Sequence, residues 1–379
     1  MKTTDFKTPG QLIESLLDAR GWTQRVLAAV LDMSESSLNK LISGKLALSA
    51  ETALALEEVF SVDASLFLDL QRDFDLAKAR LMHRADPARA QRARLYGDLP
   101  IAEMIKRGWL NVENVRDASA VEGELMKFFG AASADQIEIL PHAAKKTAVS
   151  EQTTPTQLAW LYRVKQIAQE MLVAEYSPFG ARRALEELKK LVLSADETRK
   201  VPRVLAEAGI RFVIVESLPK AKIDGVCFWL SPKAPVIGMT MQHDRIDNFW
   251  FVLRHELEHV IQRHGMDRIS IDVDLQGDKA GVGEEIAEEE RLANAAAAEF
   301  CVSKKVMDAF IARKAPFFAE RDVRALAATL KVHPGLVAGQ LQHRTGRYDR
   351  FRDHLVKVRS VVLPGATSDG WGNIAPVGL

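Results

Sequence analysis

Residues Asp244–His259 read DRIDNFWFVLRHELEH and place two histidines, His255 and His259, four positions apart. Residues four apart stack on one face of an α-helix, so both imidazoles can reach a single metal ion. Glu256 lies beside them, where it can activate a metal-bound water. An ordinary surface helix with two solvated histidines is the alternative. Apolar residues at helical spacing support the helix itself: Ile246, Phe249, Trp250, Leu253, Leu257, Val260 and Ile261.

Glu290, thirty-one residues after His259, is the predicted third ligand. A catalytic zinc ion takes three protein ligands and keeps one coordination position open. The stretch 284–302 favours a second helix, because no Pro or Gly follows Gly283 and strong helix formers dominate. Asn294 shares a face with Glu290 and is placed to hydrogen-bond a ligand imidazole. Other acids compete for the ligand role: Glu284, Glu285, Glu288 and Glu289.

The HELEH run together with Glu290–Asn294 resembles the ImmA/IrrE family of zinc-dependent peptidase-like proteins, and the resemblance covers residues 200–345. It implies a small twisted sheet beside two metal-binding helices. It also implies Zn²⁺ as cofactor, with His255, His259 and Glu290 as ligands and Glu256 as general base.

Three residues of the same part of the chain are candidates for stabilising an oxyanion. They are His264, His333 and Tyr348, and the sequence does not choose among them. Residues 323–342 also have a helix-turn-helix rhythm. We interpret this segment as part of the peptidase-like fold, with a second DNA-reading element as the alternative.

The N-terminus predicts a second functional region. Amphipathic helices follow Thr8 and Ser34, both suitable N-caps, and another helix opens at Thr23-Gln24. Gly44 stops the third helix. The pattern is a helix-turn-helix. Residues 8–80 resemble the XRE-type domain of HigA-like antitoxins.

In a helix-turn-helix, the N-terminal part of the third helix enters the major groove. Candidate DNA contacts are Ser36, Ser37, Asn39 and Lys40, with Gln24 and Lys45 as phosphate clamps. Residues 1–80 hold 9 Lys and Arg against 12 Asp and Glu, a net charge of −3. Because phosphate neutralisation supplies much of DNA affinity, binding should need a dimer or a local basic face. A module that only packs or dimerises is the alternative.

The composition excludes several classes of protein. The 379 residues carry no net charge, so the overall electrostatic field of the protein does not steer it toward nucleic acid or a membrane. Two cysteines do not make a disulfide scaffold, and they fit a reducing cytoplasm. The polar start predicts no signal peptide, and no apolar run is long enough to span a bilayer.

These patterns predict a mainly α fold with a small α+β part. Residues 1–80 form the helix-turn-helix bundle, 81–200 a helical linker region, 201–345 the zincin-like domain with the HExxH helix, and 346–379 a tail. The Gly and Pro content of 361–379 predicts poor order there. Chain breaks at Pro141 and Pro155 suggest exposed sites where the linker is cut.

Two functions remain. In the first, the chain is a cytoplasmic, homodimeric regulator that binds an operator, plausibly in its own promoter, and carries a zinc endopeptidase that cleaves a repressor or regulatory protein. In the second, it is a HigA-like antitoxin or repressor whose metal domain only senses a signal or binds a partner such as a toxin. The intact HExxH favours the first, and the N-terminal domain favours the second.

Overall fold

The computed structural model describes residues 6–83, 89, 93, 96–97, 99–133, 153–266, 288–377 and the backbone of 270–273. The chain forms two compact units, 1–88 and 89–379. Pro141 lies outside the described residues, whereas Pro155 is the first residue of a helix rather than a break in one.

The described residues of the first unit, 6–83, form a bundle of five helices. They are α1 (Pro9–Arg20), α2 (Gln24–Val30), α3 (Glu35–Ile42), α4 (Ala50–Phe60) and α5 (Ala64–Met82). The side-chain oxygen of the residue before each helix accepts a hydrogen bond from a backbone N–H of the first turn. These caps satisfy donors that would otherwise lack partners, and they fix where each helix begins.

Gly10 explains how α1 and α3 pack so closely. A Cβ on Gly10 would stand 1.9 Å from the carbonyl oxygen of Ile42, at the end of α3. Only glycine permits this backbone approach. The core between the helices is built from buried aliphatic and aromatic residues, among them Leu12, Leu27, Leu38, Leu56 and Phe67.

The second unit combines helices with one mixed sheet. Its described helices are α6 (Ile101–Lys106), α7 (Ala118–Phe129), α8 (Pro155–Glu170), α9 (Pro178–Leu191), α10 (Val201–Glu207), α11 (Ile246–Gln262), α12 (Glu288–Cys301), α13 (Lys304–Lys314), α14 (Glu320–Leu330), α15 (Pro334–Thr345) and α16 (Arg359–Val362). Its strands are β1 (Arg211–Val215), β2 (Ile223–Trp229), β3 (Pro235–Met239), β4 (Ser270–Val273) and β5 (Thr367–Asp369). The predicted mainly helical fold with a small sheet is confirmed.

The strand order is β4-β2-β3-β1-β5. β1 pairs in parallel with β3 and β5, while β2 pairs antiparallel with β3 and β4. Apart from Arg211 and the buried Asp224, the three central strands carry apolar residues or glycine on both faces, which is typical of strands covered by helices on each side. One face packs on α11, and the other packs on α8, a helix from the region read as a linker.

The expectation of poor order after residue 361 is wrong for the described residues. β5 completes the sheet beside β1, and the side chain of Asp369 is fully buried. Two donors from distant segments bind its carboxylate: Arg163 Nε at 3.0 Å and Trp109 Nε1 at 2.7 Å. Long-range contacts of this kind order the segment despite its Gly and Pro content.

Helix α15 shows whether the helix-turn-helix pattern of residues 323–342 can bind DNA. Its central residues are buried, including Leu336, Val337, Ala338 and Leu341. A helix buried on this scale cannot enter a DNA groove. The segment 323–342 is therefore part of the core beside α11 and not a second DNA-reading element.

Candidate metal centre and nucleic-acid interface

Helix α11 runs between the sheet and α12, and this position buries the HELEH side chains. His255 and Glu256 are 0% exposed, and His259 is 4% exposed. The reading of a surface helix with solvated histidines therefore does not hold. Buried polar groups require partners, so the groups that contact these side chains determine the chemistry of the site.

The structure brings His255, His259 and Glu290 together. The two Nε2 atoms are 3.1 Å apart, and the Glu290 carboxylate lies 3.2 Å from His255 Nε2 and 3.6 Å from His259 Nε2. Zinc bonds of 2.0–2.2 Å in a tetrahedron separate neighbouring donor atoms by about 3.3 Å. The three donors therefore have the spacing of three corners of a zinc tetrahedron, and their chemistry fits this ion.

Glu290 differs from the neighbouring acids that competed for the ligand role. Its side chain is 22% exposed and turns toward the histidines. Glu288 instead pairs with Arg291 at 2.5 Å on the surface, and Glu289 is exposed. Residues 284–285 lie outside the described residues.

The two Nε2 atoms and the Glu290 carboxylate are called the donor cluster below. In each histidine, the ring nitrogen that faces away from this cluster has a partner. His255 Nδ1 lies 3.1 Å from Asn294 Oδ1 on α12, and His259 Nδ1 lies 3.1 Å from His264 Nδ1. When Nδ1–H donates to these acceptors, the lone pair of Nε2 faces the cluster. Sequence reasoning placed Asn294 in this role and missed His264, whose spacing from His259 matches no standard motif.

The three oxyanion candidates occupy different positions. His264 contacts the His259 ring. His333 caps α15 by accepting a hydrogen bond from the Gly335 N–H through Nδ1 at 3.0 Å, and burial lowers its pKa. The Tyr348 hydroxyl lies 3.5 Å from His343 Nδ1. His264 thus touches a predicted ligand.

Glu258, the second acid of the HELEH run, has a separate role. Its carboxylate accepts hydrogen bonds from Arg254 at 2.7 Å and Gln262 at 2.8 Å. Burial opposes ionisation, but these donors outweigh it and hold the pKa of Glu258 below its usual value. Glu258 is thus a paired carboxylate that stabilises α11, and it gives a control for Glu256.

The helix-turn-helix surface presents most of the predicted DNA contacts. The exposed ones are Ser36, Asn39, Lys40 and Lys45, and the half-buried ones are Gln24 and Ser37. The Ser37 hydroxyl is 2.8 Å from the Ser34 hydroxyl, which caps α3. Ser37 is therefore partly engaged by the cap, while the other polar side chains of α3 face outward.

An exposed ion pair at the start of α3 was not anticipated from the sequence. Arg25 Nε on α2 lies 3.2 Å from Glu35 Oε1, and both side chains are largely exposed. The pair brings a guanidinium to the N-terminal end of α3, the helix that is predicted to enter the major groove. No sequence signal pointed to it, because the two residues belong to different helices.

Comparison with known proteins identifies the first unit. A helix-turn-helix family profile matches residues 13–67. YddM of Escherichia coli (strain K12), described as an uncharacterized HTH-type transcriptional regulator, is 32% identical over 79 residues, which is 21% of this chain and 84% of YddM. Virulence-associated protein I of Dichelobacter nodosus is 33% identical over 72 residues, or 19% of this chain and 67% of that protein.

Virulence-associated protein A' of the same organism is 37% identical over 71 residues, and the match spans 62% of its length. The fold and these similarities define a helix-turn-helix protein. The chain belongs to the family of DNA-binding helix-turn-helix transcriptional regulators. The matched segments span about a fifth of the chain, so they carry the DNA-binding assignment and not the metal centre.

Among the residues that the structure describes, no helix combines the length and the apolar character required to cross a bilayer.

Proposed function

We propose that this transcriptional regulator carries a zinc-dependent endopeptidase in its second unit, similar to the ImmA/IrrE family, and that the peptidase cleaves a repressor or another regulatory protein. The observation that supports the proposal most strongly is the convergence of His255, His259 and Glu290 at zinc-ligand spacing, with Glu256 buried on the same helix.

Zinc held by these three ligands would supply Lewis-acid chemistry, polarising a peptide carbonyl and making water nucleophilic near neutral pH. Asn294 and His264 orient the two imidazoles. Glu256 accepts the proton of the attacking water and later donates it to the departing amine. Enclosure of its carboxylate in the protein interior keeps that proton from exchanging freely with solvent.

The first unit directs the chain to DNA. The N-terminal half of α3 enters the major groove, with Ser36, Asn39 and Lys40 contacting bases or phosphates and Lys45 clamping the backbone. Because the unit is acidic overall, we propose a homodimer on a palindromic operator, located in the chain's own promoter. Two copies double the phosphate contacts and place half-sites about one helical turn apart.

A second function is supported by the burial of the site. His255, Glu256 and His259 are nearly sealed from solvent, and Glu290 alone of the four is partly exposed. In a HigA-like antitoxin or repressor, such a site would bind zinc without hydrolysis and would transmit occupancy to the DNA-binding unit or to a toxin partner. Structural zinc stabilises a fold without any catalytic role.

Hydrolysis of casein as a general protein substrate separates the two functions. The zinc-loaded wild type is compared with Glu256→Gln, which keeps the shape of the side chain but cannot act as a base. Glu258→Gln is the matched control on the same helix. A peptidase should lose about 10²- to 10⁴-fold in rate with Glu256→Gln and little with Glu258→Gln. Equal rates in wild type and Glu256→Gln would support the second function, in which the site binds zinc without hydrolysis.

Self-cleavage within the 81–200 stretch, after the helix-turn-helix domain, would couple the peptidase to transcription. We place the cut within residues 134–152, which lie outside the described residues and contain Pro141. Incubation of the full chain with zinc, followed by mass spectrometry of the fragments, tests this. Fragments that form equally in Glu256→Gln come from a contaminating protease and rule out self-cleavage.

A further inference from the structure

Gly225, in the middle of β2, lies directly against the Glu256 side chain. A Cβ built on Gly225 would stand 2.2 Å from Glu256 Oε1, 2.9 Å from Cδ and 3.0 Å from Cγ. These are the three nearest heavy atoms, and all of them belong to Glu256. Separations this short lie inside van der Waals contact, so any side chain at 225 would compete with the carboxylate for the same space.

Glycine is not needed here for its backbone conformation. Gly225 lies within a strand and its φ is outside the left-handed region, and both neighbours along the strand, Asp224 and Val226, carry side chains. Glycine in a strand interior costs stability and often marks a close approach by another group. The group that approaches is the carboxylate of the HELEH run.

Gly225 lies on the side of β2 that faces α11, directly after a register irregularity. The pairing with β4 shifts between Ile223 and Gly225, so that Asp224 is an extra residue in the strand. Ile223 and Val226 consequently pack on the α8 side of the sheet, whereas Cys227 packs on the α11 side. Gly225 and Cys227 are two apart in a stretch of β2 that pairs with β3 without interruption. They therefore share the face toward α11, and Gly225 faces Glu256.

We propose that Gly225 is a positioning residue for Glu256. The missing side chain admits the carboxylate against the backbone of β2, and the strand then fixes how far the carboxylate extends from α11 beside His255 and His259. A methyl group at 225 pushes the carboxylate out of this place. The role in hydrolysis rests on the proposed function, but the packing relation between the two residues does not.

The packing relation is tested by a double-mutant cycle on the full chain. Unfolding is followed by tryptophan fluorescence, which reports mainly on the second unit because five of the six tryptophans lie there. Gly225→Ala should raise the unfolding equilibrium constant about tenfold in the wild type and less than about twofold in Glu256→Ala, where the conflicting atoms are gone.

Gly238→Ala is the matched control. Gly238 lies on the neighbouring strand β3, and its Cβ would meet Val164 and Val226 side chains at 2.8 and 3.0 Å, not Glu256. This substitution should therefore destabilise the wild type and Glu256→Ala equally. Equal effects of Gly225→Ala in the two backgrounds would overturn the proposal.

A catalytic readout distinguishes positioning from packing alone. Gly225→Ala should keep one zinc ion, because its Cβ meets no ligand, yet lose about 100-fold or more in kcat on casein. In the Glu256→Gln background it should cause no further loss. Full kcat in Gly225→Ala would refute positioning. If the zinc-loaded wild type hydrolyses neither casein nor its own chain, the proposed peptidase function fails, and the unfolding cycle still decides whether Gly225 places Glu256.

Discussion

Replacing Asn294 by Ala should weaken zinc binding without removing a ligand. Asn294 Oδ1 is the acceptor for His255 Nδ1, and the hydrogen bond keeps the Nε2 lone pair directed at the donor cluster. Loss of such a partner typically lowers metal affinity about 10- to 100-fold, or about 1.4 to 2.8 kcal/mol. His264→Ala should have an effect of the same size, because His264 orients His259 in the same way.

The two effects act on different rings, so they should combine in the double variant to about 100- to 10,000-fold. Zinc affinity is measured by competition with a chromophoric chelator. Gln340→Ala is the control, because Gln340 Nε2 donates to the Ala298 carbonyl of α12 at 3.0 Å without touching either imidazole. It tests whether loosening α12 is enough to release zinc.

The result that contradicts this reasoning is an affinity within about twofold of wild type for both Asn294→Ala and His264→Ala. An equal loss in Gln340→Ala would show that the packing of α12, and not the orientation of the imidazoles, sets the affinity.

Three other perturbations test separate parts of the account. Lys45→Ala should weaken operator binding and reduce the slope of log affinity against log salt by about 1, measured by fluorescence anisotropy, whereas the exposed Lys78→Ala should change neither. Burial lowers the pKa of His333 from 6.5, so the unfolded state binds its proton more readily. The free energy of unfolding should therefore fall as the pH drops below about 6.5, and His333→Asn, which retains a helix cap, should remove that dependence in urea titrations at several pH values. Asp369→Ala should lower the free energy of unfolding by about 3–5 kcal/mol in denaturant titrations, because it leaves the Arg163 guanidinium buried without its partner; a loss below about 1 kcal/mol would contradict the buried pair.

The sequence predicted what depends on neighbouring residues. Thr8 and Ser34 cap α1 and α3 as predicted, since a cap uses contacts within one turn. The four-residue spacing of His255 and His259 likewise brings the two rings together on a single helix.

The features that the sequence did not show depend on contacts between distant segments. β5 joins β1 across more than 150 residues, and the Arg163–Asp369 pair spans 206 positions. Gly225 and Cys227 share one face of β2 by ordinary alternation, but which helix covers that face depends on the fold. The contact between Gly225 and Glu256 joins segments 31 positions apart, so it became visible only in the structure.

The most direct test of the central claim is the zinc content of the purified chain, determined by mass spectrometry of the metal. The account predicts about one zinc ion per chain in wild type and in Glu258→Gln, and loss of that ion in His255→Ala and His259→Ala, because three protein ligands leave one position open and removing either imidazole leaves two. Full zinc in both histidine variants would contradict the assignment of the metal centre.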